Sequence, residues 1–199
     1  GLEHFTLLRG KEALERCDLV LLMIDAVEGL TETDAKVFSL ANEAGKASII
    51  LVNKWDAVEK DENSAGSFAK EIRERVPYLK YAPMEFISAL THKRIQRIFP
   101  HVERILQNYQ RRIPTAELND LLDSILQRHP PPVHKGRSPS ISYWTQVSSG
   151  PPTFVAFTSE PKAIHFSYER FLINQLYESF DFEGTPIRLI WKKKSGRRT

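Results

Sequence analysis

"SIILVNKWDAV", residues 48–58, runs a short apolar stretch straight into the tetrapeptide Asn53-Lys54-Trp55-Asp56. An uninterrupted run of aliphatic residues reads as a strand buried on both faces of a parallel sheet. Side chains that follow such a strand emerge at its carboxyl end, where open α/β sheets bind their ligands. One stretch therefore decides both the fold class and the place to look for a site.

At that place Asn-Lys-x-Asp has a definite chemistry. The Asp56 carboxylate can accept from the N1–H and the exocyclic amino group of guanine together, a bidentate charge-assisted pair. Adenine offers no matching donors and would leave the carboxylate unpaired. The Lys54 stem can lie along the base with its ammonium in water, and the Asn53 amide can tie the loop to its neighbours. Ser88-Ala89-Leu90 ends a third apolar run, where a backbone N–H can donate to guanine O6. Small side chains at 88 and 89 let the backbone come close. Asn53, Lys54, Asp56, Ser88, Ala89 and Leu90 are thus the candidate guanine-binding residues. The competing reading is a polar strand-to-helix loop of a flavodoxin-like domain; the preceding strand and the later Ser-Ala weigh against it.

Outward from this stretch the chain alternates between two periods. "LVLLMID" (19–25) reads as a strand buried on both faces. Thr31 and Asp34 form a capping box that opens a helix through Ala44, and Gly45 ends it. "FAKEIRERV" (68–76) is an amphipathic helix stopped by Pro77, and "MEFISA" (84–89) a third strand. A helix then carries Ile95, Ile98, Val102, Ile105, Leu106 and Tyr109 on its inward stripe, with Pro100 inside it as a kink point. This alternation implies an α/β layer structure with parallel strands. The first strand has no edge-strand polarity, so the sheet is expected to lack its opening strands.

"RRIPTAELND" (111–120) marks a boundary between residues 1–113 and 114–199. Thr115 is expected to cap a helix whose apolar face is Leu118, Leu121, Leu122, Ile125 and Leu126, stopped by Pro130-Pro131-Pro132. "SISYWTQV" (140–147) and "TFVAFT" (153–158) are β-rich runs joined by "SSGPP". "YERFLINQLYESF" (168–180) is a helix, and "FEGTPIRLIW" (182–191) turns at Gly184 and returns as a strand. The second unit is therefore a small α+β domain of order α-β-β-α-β.

Composition narrows the function classes. The 199 residues are 41% hydrophobic and 27% charged, which suits a soluble protein with real cores. A single cysteine, Cys17, excludes an internal disulfide and a thiolate-rich zinc site, and fits a reducing, cytoplasmic compartment. The longest apolar stretch, Leu19–Ile24, is too short to span a bilayer, and no basic-then-apolar leader opens the chain. The six histidines show no metal-ligand spacing. The net charge of +3 collects at the distal end, where Arg188, Lys192, Lys193, Lys194, Arg197 and Arg198 meet no acid. Two readings stay open there: a surface for a polyanion, nucleic acid before membrane, or a solvated tail. Tyr143, Trp144, Phe154 and Phe157 either stack bases or fill the core, with core packing weighed first.

The phosphate-binding element G-x-x-x-x-G-K-[ST] has no counterpart in these residues. In "LANEAGKAS" (40–48) Leu40 stands where the first glycine should be and Ala47 replaces the hydroxyl. That stretch also lies at a helix C-terminus, the wrong end of the dipole for phosphate. Asp181-Phe-Glu-Gly184 has the D-x-x-G spacing but reads as a turn. No catalytic constellation and no metal ligand set follows.

"DLVLLMIDAVEGLTETDAKVFSLANEAGKASIILVNKWD" (18–56) resembles the second half of a translation-factor-type GTPase domain. "QRHPPP" (127–132), "YWTQVSSGPPTFVAF" (143–157) and "FEGTPIRLIWKKK" (182–194) resemble the KH-like domain of the bacterial Der (EngA) family. The resemblance covers essentially the whole chain, and its distal motifs are the specific part. It implies a partial P-loop-type GTPase domain with three parallel strands, lacking phosphate loop and switches, followed by a KH-like domain with a basic tail. It further implies a parent with two tandem GTPase domains that binds GTP or GDP with Mg²⁺ and assists large-subunit maturation. Its partners would be the large ribosomal subunit, its RNA, and the upstream GTPase domains. Asn53, Lys54 and Asp56 match the family's guanine-specificity motif and Ser88-Ala89-Leu90 its following element. His92 stands where relatives often carry glycine. The chain would supply base recognition and be inactive alone; the alternative is a non-enzymatic RNA- or ribosome-interaction module that no longer binds nucleotide.

Overall fold

The computed structural model describes residues 10–59, 63–133, 136 and 139–194. The chain divides into two compact units, Gly1–Tyr109 with Phe182–Pro186, and Gln110–Asp181 with Ile187–Thr199. No helix among the described residues is long and apolar enough to cross a membrane.

In the first unit, β1 (Leu19–Asp25), β2 (Ala47–Asn53) and β3 (Met84–Phe86) form a sheet of order β1-β2-β3, parallel throughout. β2 is central and buried along six of its seven residues, as its unbroken apolar run requires. Leu19 pairs with Ala47 and Asp25 with Asn53 across the register, which brings those two polar residues to one end of the sheet. α1 (Glu32–Glu43) begins at the expected capping box: Thr31 Oγ1 accepts from the Asp34 N–H at 3.1 Å, and Asp34 Oδ2 accepts from the Thr31 N–H at 3.0 Å. Gly45, at φ 71, turns the chain into β2. α2 (Ser64–Arg75) and α3 (Ile98–Tyr109) complete the layers. α3 packs Ile105 and Tyr109 against Ala47, Ile49 and Leu51, while Phe68 of α2 meets Phe86 of β3, so the two helices cover opposite sheet faces.

Several expectations need correction here. β1, read as buried on both faces, lies at the edge of the sheet, with Leu22 and Ile24 buried but Leu21 and Met23 about half exposed. β3 ends at Phe86 instead of reaching Ala89, because the backbone of Ser88 turns to pair with Lys93. α2 starts four residues before Phe68. Pro100 falls in the first turn of α3, where a helix has no carbonyl to offer its missing N–H. Leu106 is exposed, one residue round from the buried Ile105.

Residues Phe182–Pro186, which the sequence places distally, cluster with the first unit. Gly184 donates to the Tyr81 carbonyl at 2.7 Å and accepts from the Ser48 N–H at 2.9 Å. It thus serves the start of β2, two residues before the Ile50–Met84 pairing with β3 begins.

The second unit runs α4 (Thr115–Arg128), β4 (Ile141–Ser148), β5 (Thr153–Thr158), α5 (Phe166–Ser179) and β6 (Arg188–Lys193). Its sheet has order β4-β5-β6, with β4 antiparallel and β6 parallel to β5. Trp144, Phe154 and Ala156 share the inner face, and Trp191 on that face donates its indole N–H to Glu169 of α5 at 2.7 Å. Leu118, Leu122 and Ile125 of α4 and Leu172 and Leu176 of α5 are fully buried. Thr115 is the first helical residue and not the cap; Pro114 holds the cap position, and its carbonyl accepts from the Leu118 N–H. Asn119 on α4 acts toward β4 as another strand would. Its amide accepts from the Trp144 N–H at 3.0 Å and donates to the Trp144 carbonyl at 3.1 Å, which satisfies part of the sheet edge.

Candidate guanine-binding site

Asn53 is the last residue of β2, and the chain turns sharply after it because Lys54 takes a left-handed conformation at φ 58. The next residue anchors the turn. Trp55 donates its backbone N–H to the Ile87 carbonyl at 3.0 Å, and its ring sits 4.4 Å from Phe86 and 5.6 Å from Phe68, centroid to centroid. A large aromatic side chain in the variable slot of Asn-Lys-x-Asp thus fixes the flanking Lys54 and Asp56 to β3 and α2. In the sequence Trp55 only occupies the variable position of the motif; its legible signal is one big apolar ring between Lys54 and Asp56.

Asn53 Oδ1 accepts from the Ala89 N–H at 2.9 Å. That bond joins the Asn53–Asp56 turn to the Ser88–Leu90 loop, the two segments singled out for the base. It also occupies the Ala89 donor. The Ser88 N–H is spent on the Lys93 carbonyl at 3.1 Å, and the Ser88 hydroxyl accepts from the Thr91 N–H, so buried Ser88 holds the loop in shape. Leu90, 82% exposed, keeps a backbone N–H with no acceptor among the described residues. Of the three, it is the donor left for a base oxygen.

Asp56 is exposed and lines a cleft of about 70 Å³ with Trp55, Phe86, Ile87, Ser88, Lys93 and Arg94. Lys93 and Arg94 were not foreseen there. His92, at φ 56, and Arg94, at φ 63, both adopt the left-handed conformation that glycine takes without strain. His92 therefore preserves the loop path that a glycine would follow, at a backbone cost of about 1 kcal/mol.

The Lys54 ammonium lies 2.5 Å from Asp25 Oδ2, at the end of β1. Asp25 Oδ1 accepts from the Val27 N–H at 2.9 Å. The Lys54 hydrogen bond first, and the Val27 N–H second, hold the Asp25 carboxyl below the usual carboxylate range; the same pair raises Lys54. Since the Asp25 value is depressed on folding, the pair stabilises above the unfolded carboxylate value and loses that contribution only as pH falls through the folded one.

Of the basic candidates, Arg188, Lys192 and Lys193 lie on β6 and Lys194 follows it, all exposed. Lys192 pairs with Phe157 and Lys193 with Thr158, so alternate residues take opposite faces and the four form no single cluster. Arg197 and Arg198 lie outside the described residues.

Residues 5–131 match the model of the elongation factor Tu GTP binding domain, and residues 112–192 that of the KH-domain-like region of EngA bacterial GTPase enzymes, C-terminal. Among curated proteins the chain is similar to GTPase Der of Halalkalibacterium halodurans, at 46% identity over 97% of this chain and 44% of that one. GTPase Der of Alkaliphilus metalliredigens is 47% identical over 99% and 45%, and that of Listeria monocytogenes 44% over 96% and 44%. Among solved structures, Era of Aquifex aeolicus superposes at TM-score 0.43 and 18% identity over 92% of this chain and 67% of that one, a likeness too loose to carry an argument. The chain spans less than half the length of the curated relatives it matches. By the first of the two domain models and by these relatives, the chain belongs to the elongation-factor-Tu-type GTP-binding family and, within it, to the Der (EngA) GTPases.

Proposed function

We propose that residues 1–113 supply the guanine-reading half of a GTP-binding domain, and that residues 114–199 form a KH-like module that contacts ribosomal RNA or a neighbouring GTPase domain. In this reading the chain is the C-terminal part of a cytoplasmic Der-type protein that binds and hydrolyses GTP while assisting assembly of the large ribosomal subunit. The observation that supports it most is the Ala89-to-Asn53 hydrogen bond, because it locks together the two segments between which a base would lie. Asp56 reads the N1–H and amino group of guanine, the Leu90 N–H serves O6, and the Lys54 stem covers a ring face while Asp25 holds its ammonium. Among the described residues no group of three or more His, Cys, Asp or Glu side chains could hold a metal.

Most affinity for a nucleoside triphosphate comes from its phosphates and their metal. The 199-residue chain is therefore expected to bind GTP weakly and not to hydrolyse it. Phosphate release above the buffer rate that disappears in Asp56→Asn would overturn this division of labour. The RNA-contacting part is tested separately by removing residues 192–198. Binding to large-subunit RNA should weaken, and its dependence on salt should flatten, as fewer cations displace counterions. Equal binding with and without the tail at low salt would refute that part.

A further inference from the structure

The four aromatic residues of β4 and β5 divide by the pleat. Trp144 and Phe154 are fully buried on the inner face. Tyr143 and Phe157 point the other way and stack on one another, ring centroids 4.4 Å apart and planes within 15°. Cross-strand register continues this row from Tyr143 through Phe157 to Lys192, and the adjacent row from Thr145 through Val155 to Ile190. Arg188 lies on the same face beside Thr153. Tyr143 is 40% and Ile190 44% exposed. No acid lies on this face along the three strands, whereas two cations do.

We propose that this outer face of the β4-β5-β6 sheet binds single-stranded RNA, with a base stacking on the outer side of the Tyr143 ring and phosphates meeting Lys192 and Arg188. The argument joins charge to shape. Lys192 and Arg188 complement any polyanion, and they stand four residues apart on β6, roughly 13 Å along the strand. An aromatic pair already stacked presents a flat, preorganised ring that an acidic peptide has no use for but any base can extend. A duplex keeps its bases stacked inside, so the surface selects a single strand. Between the ring pair and Arg188, the exposed Ile190 offers an apolar floor over which ribose and base can pass, while its neighbour Val155 is buried beneath the surface at 2% exposure. This inference rests on the RNA-contacting role given above to the second unit, and adds the surface, the strandedness and the aromatic contact.

The test uses the full chain and a fluorescent single-stranded oligoadenylate, read by anisotropy across a salt series. Tyr143→Leu, which keeps apolar bulk against Phe157, is expected to weaken binding roughly tenfold without changing the salt slope. Tyr143→Phe should bind close to wild type, because the ring face is retained. Lys192→Gln should reduce the slope by about 0.7. Wild-type affinity in Tyr143→Leu overturns the inference, as does equal affinity for the duplex form or equal competition by polyglutamate. If removal of residues 192–198 abolishes binding while Tyr143→Leu leaves it intact, the stacking surface fails and the RNA-contacting role stands. If the wild-type chain binds no RNA, both fail.

Discussion

Gly184→Ala is expected to destabilise the first unit by about 2–5 kcal/mol, a large share of the stability of any domain of this size. A Cβ at this position would stand 2.3 Å from Ile105 Cγ1, 2.4 Å from Cδ1 and 2.9 Å from Cγ2. Ile105 is 1% exposed and packed on Ala47, Ile49, Leu51 and Tyr109, so it has nowhere to withdraw. Nor can the backbone swing aside. The Gly184 N–H is held by the Tyr81 carbonyl and its carbonyl by the Ser48 N–H. Beside it, Glu183 is tied to α3 by Arg104 at 3.1 Å and by the Asn108 amide at 3.3 Å. The left-handed φ of 74 adds its own cost. Gly29 separates the two contributions, since it has the same φ but nothing within 4 Å of its Cβ position. Gly29→Ala should lose only about 1–2 kcal/mol. The comparison is made by denaturant unfolding followed through a probe of the first unit. Equal losses at the two glycines would show that Ile105 yields, and that Phe182–Pro186 is a loose passenger rather than a built part of the sheet.

How much of this was legible in the sequence depended on how local each cause was. The strands 19–25 and 47–53 and the capping box at Thr31–Asp34 appear where the pattern put them, because a run of aliphatic residues and a reciprocal cap act within a few positions. Gly184 was legible as a turn but not as a hydrogen-bonding partner of Ser48, which lies more than a hundred residues earlier. Nor did the apolar run of β1 reveal that Leu21 and Met23 stand half exposed, since what flanks a strand is a property of the whole sheet. The short β3 was hidden by the same kind of cause: the Ser88–Lys93 bridge competes with continued pairing, and nothing in "MEFISA" announces it. A finer reading of the aromatics was available. Tyr143 and Trp144 are consecutive in a strand, so they had to face opposite ways, and pooling them under core packing lost half of the pattern. At the candidate site the residue types that read guanine were legible from their chemistry. The part that fixes them was not, because the Trp55 anchor and the Asn53–Ala89 bond depend on what β3 and α2 bring alongside.

Base selectivity should be set by Asp56 and not by the residues that position it. Offered nucleoside 5′-monophosphates, the chain is expected to prefer guanosine over inosine by roughly tenfold to a hundredfold, the value of one hydrogen bond to a charged acceptor. Inosine retains N1–H but lacks the exocyclic amino group, so one carboxylate oxygen goes unanswered. Adenosine should bind more weakly still, because it presents an acceptor at N1 where the carboxylate needs a donor. In Asp56→Asn one oxygen is replaced by an amide that points donors at donors. The guanosine advantage over inosine should then vanish, with guanosine affinity falling about a hundredfold or more. Asn53→Ala provides the contrast. It removes the acceptor of the Ala89 N–H and loosens the junction of the two loops, so guanosine and inosine should weaken together and their ratio should hold. Ligand-observed NMR suits the weak affinities expected of a base without phosphate contacts. A guanosine-to-inosine ratio unchanged by Asp56→Asn but collapsed by Asn53→Ala would reverse the two roles and place the base reader on Asn53.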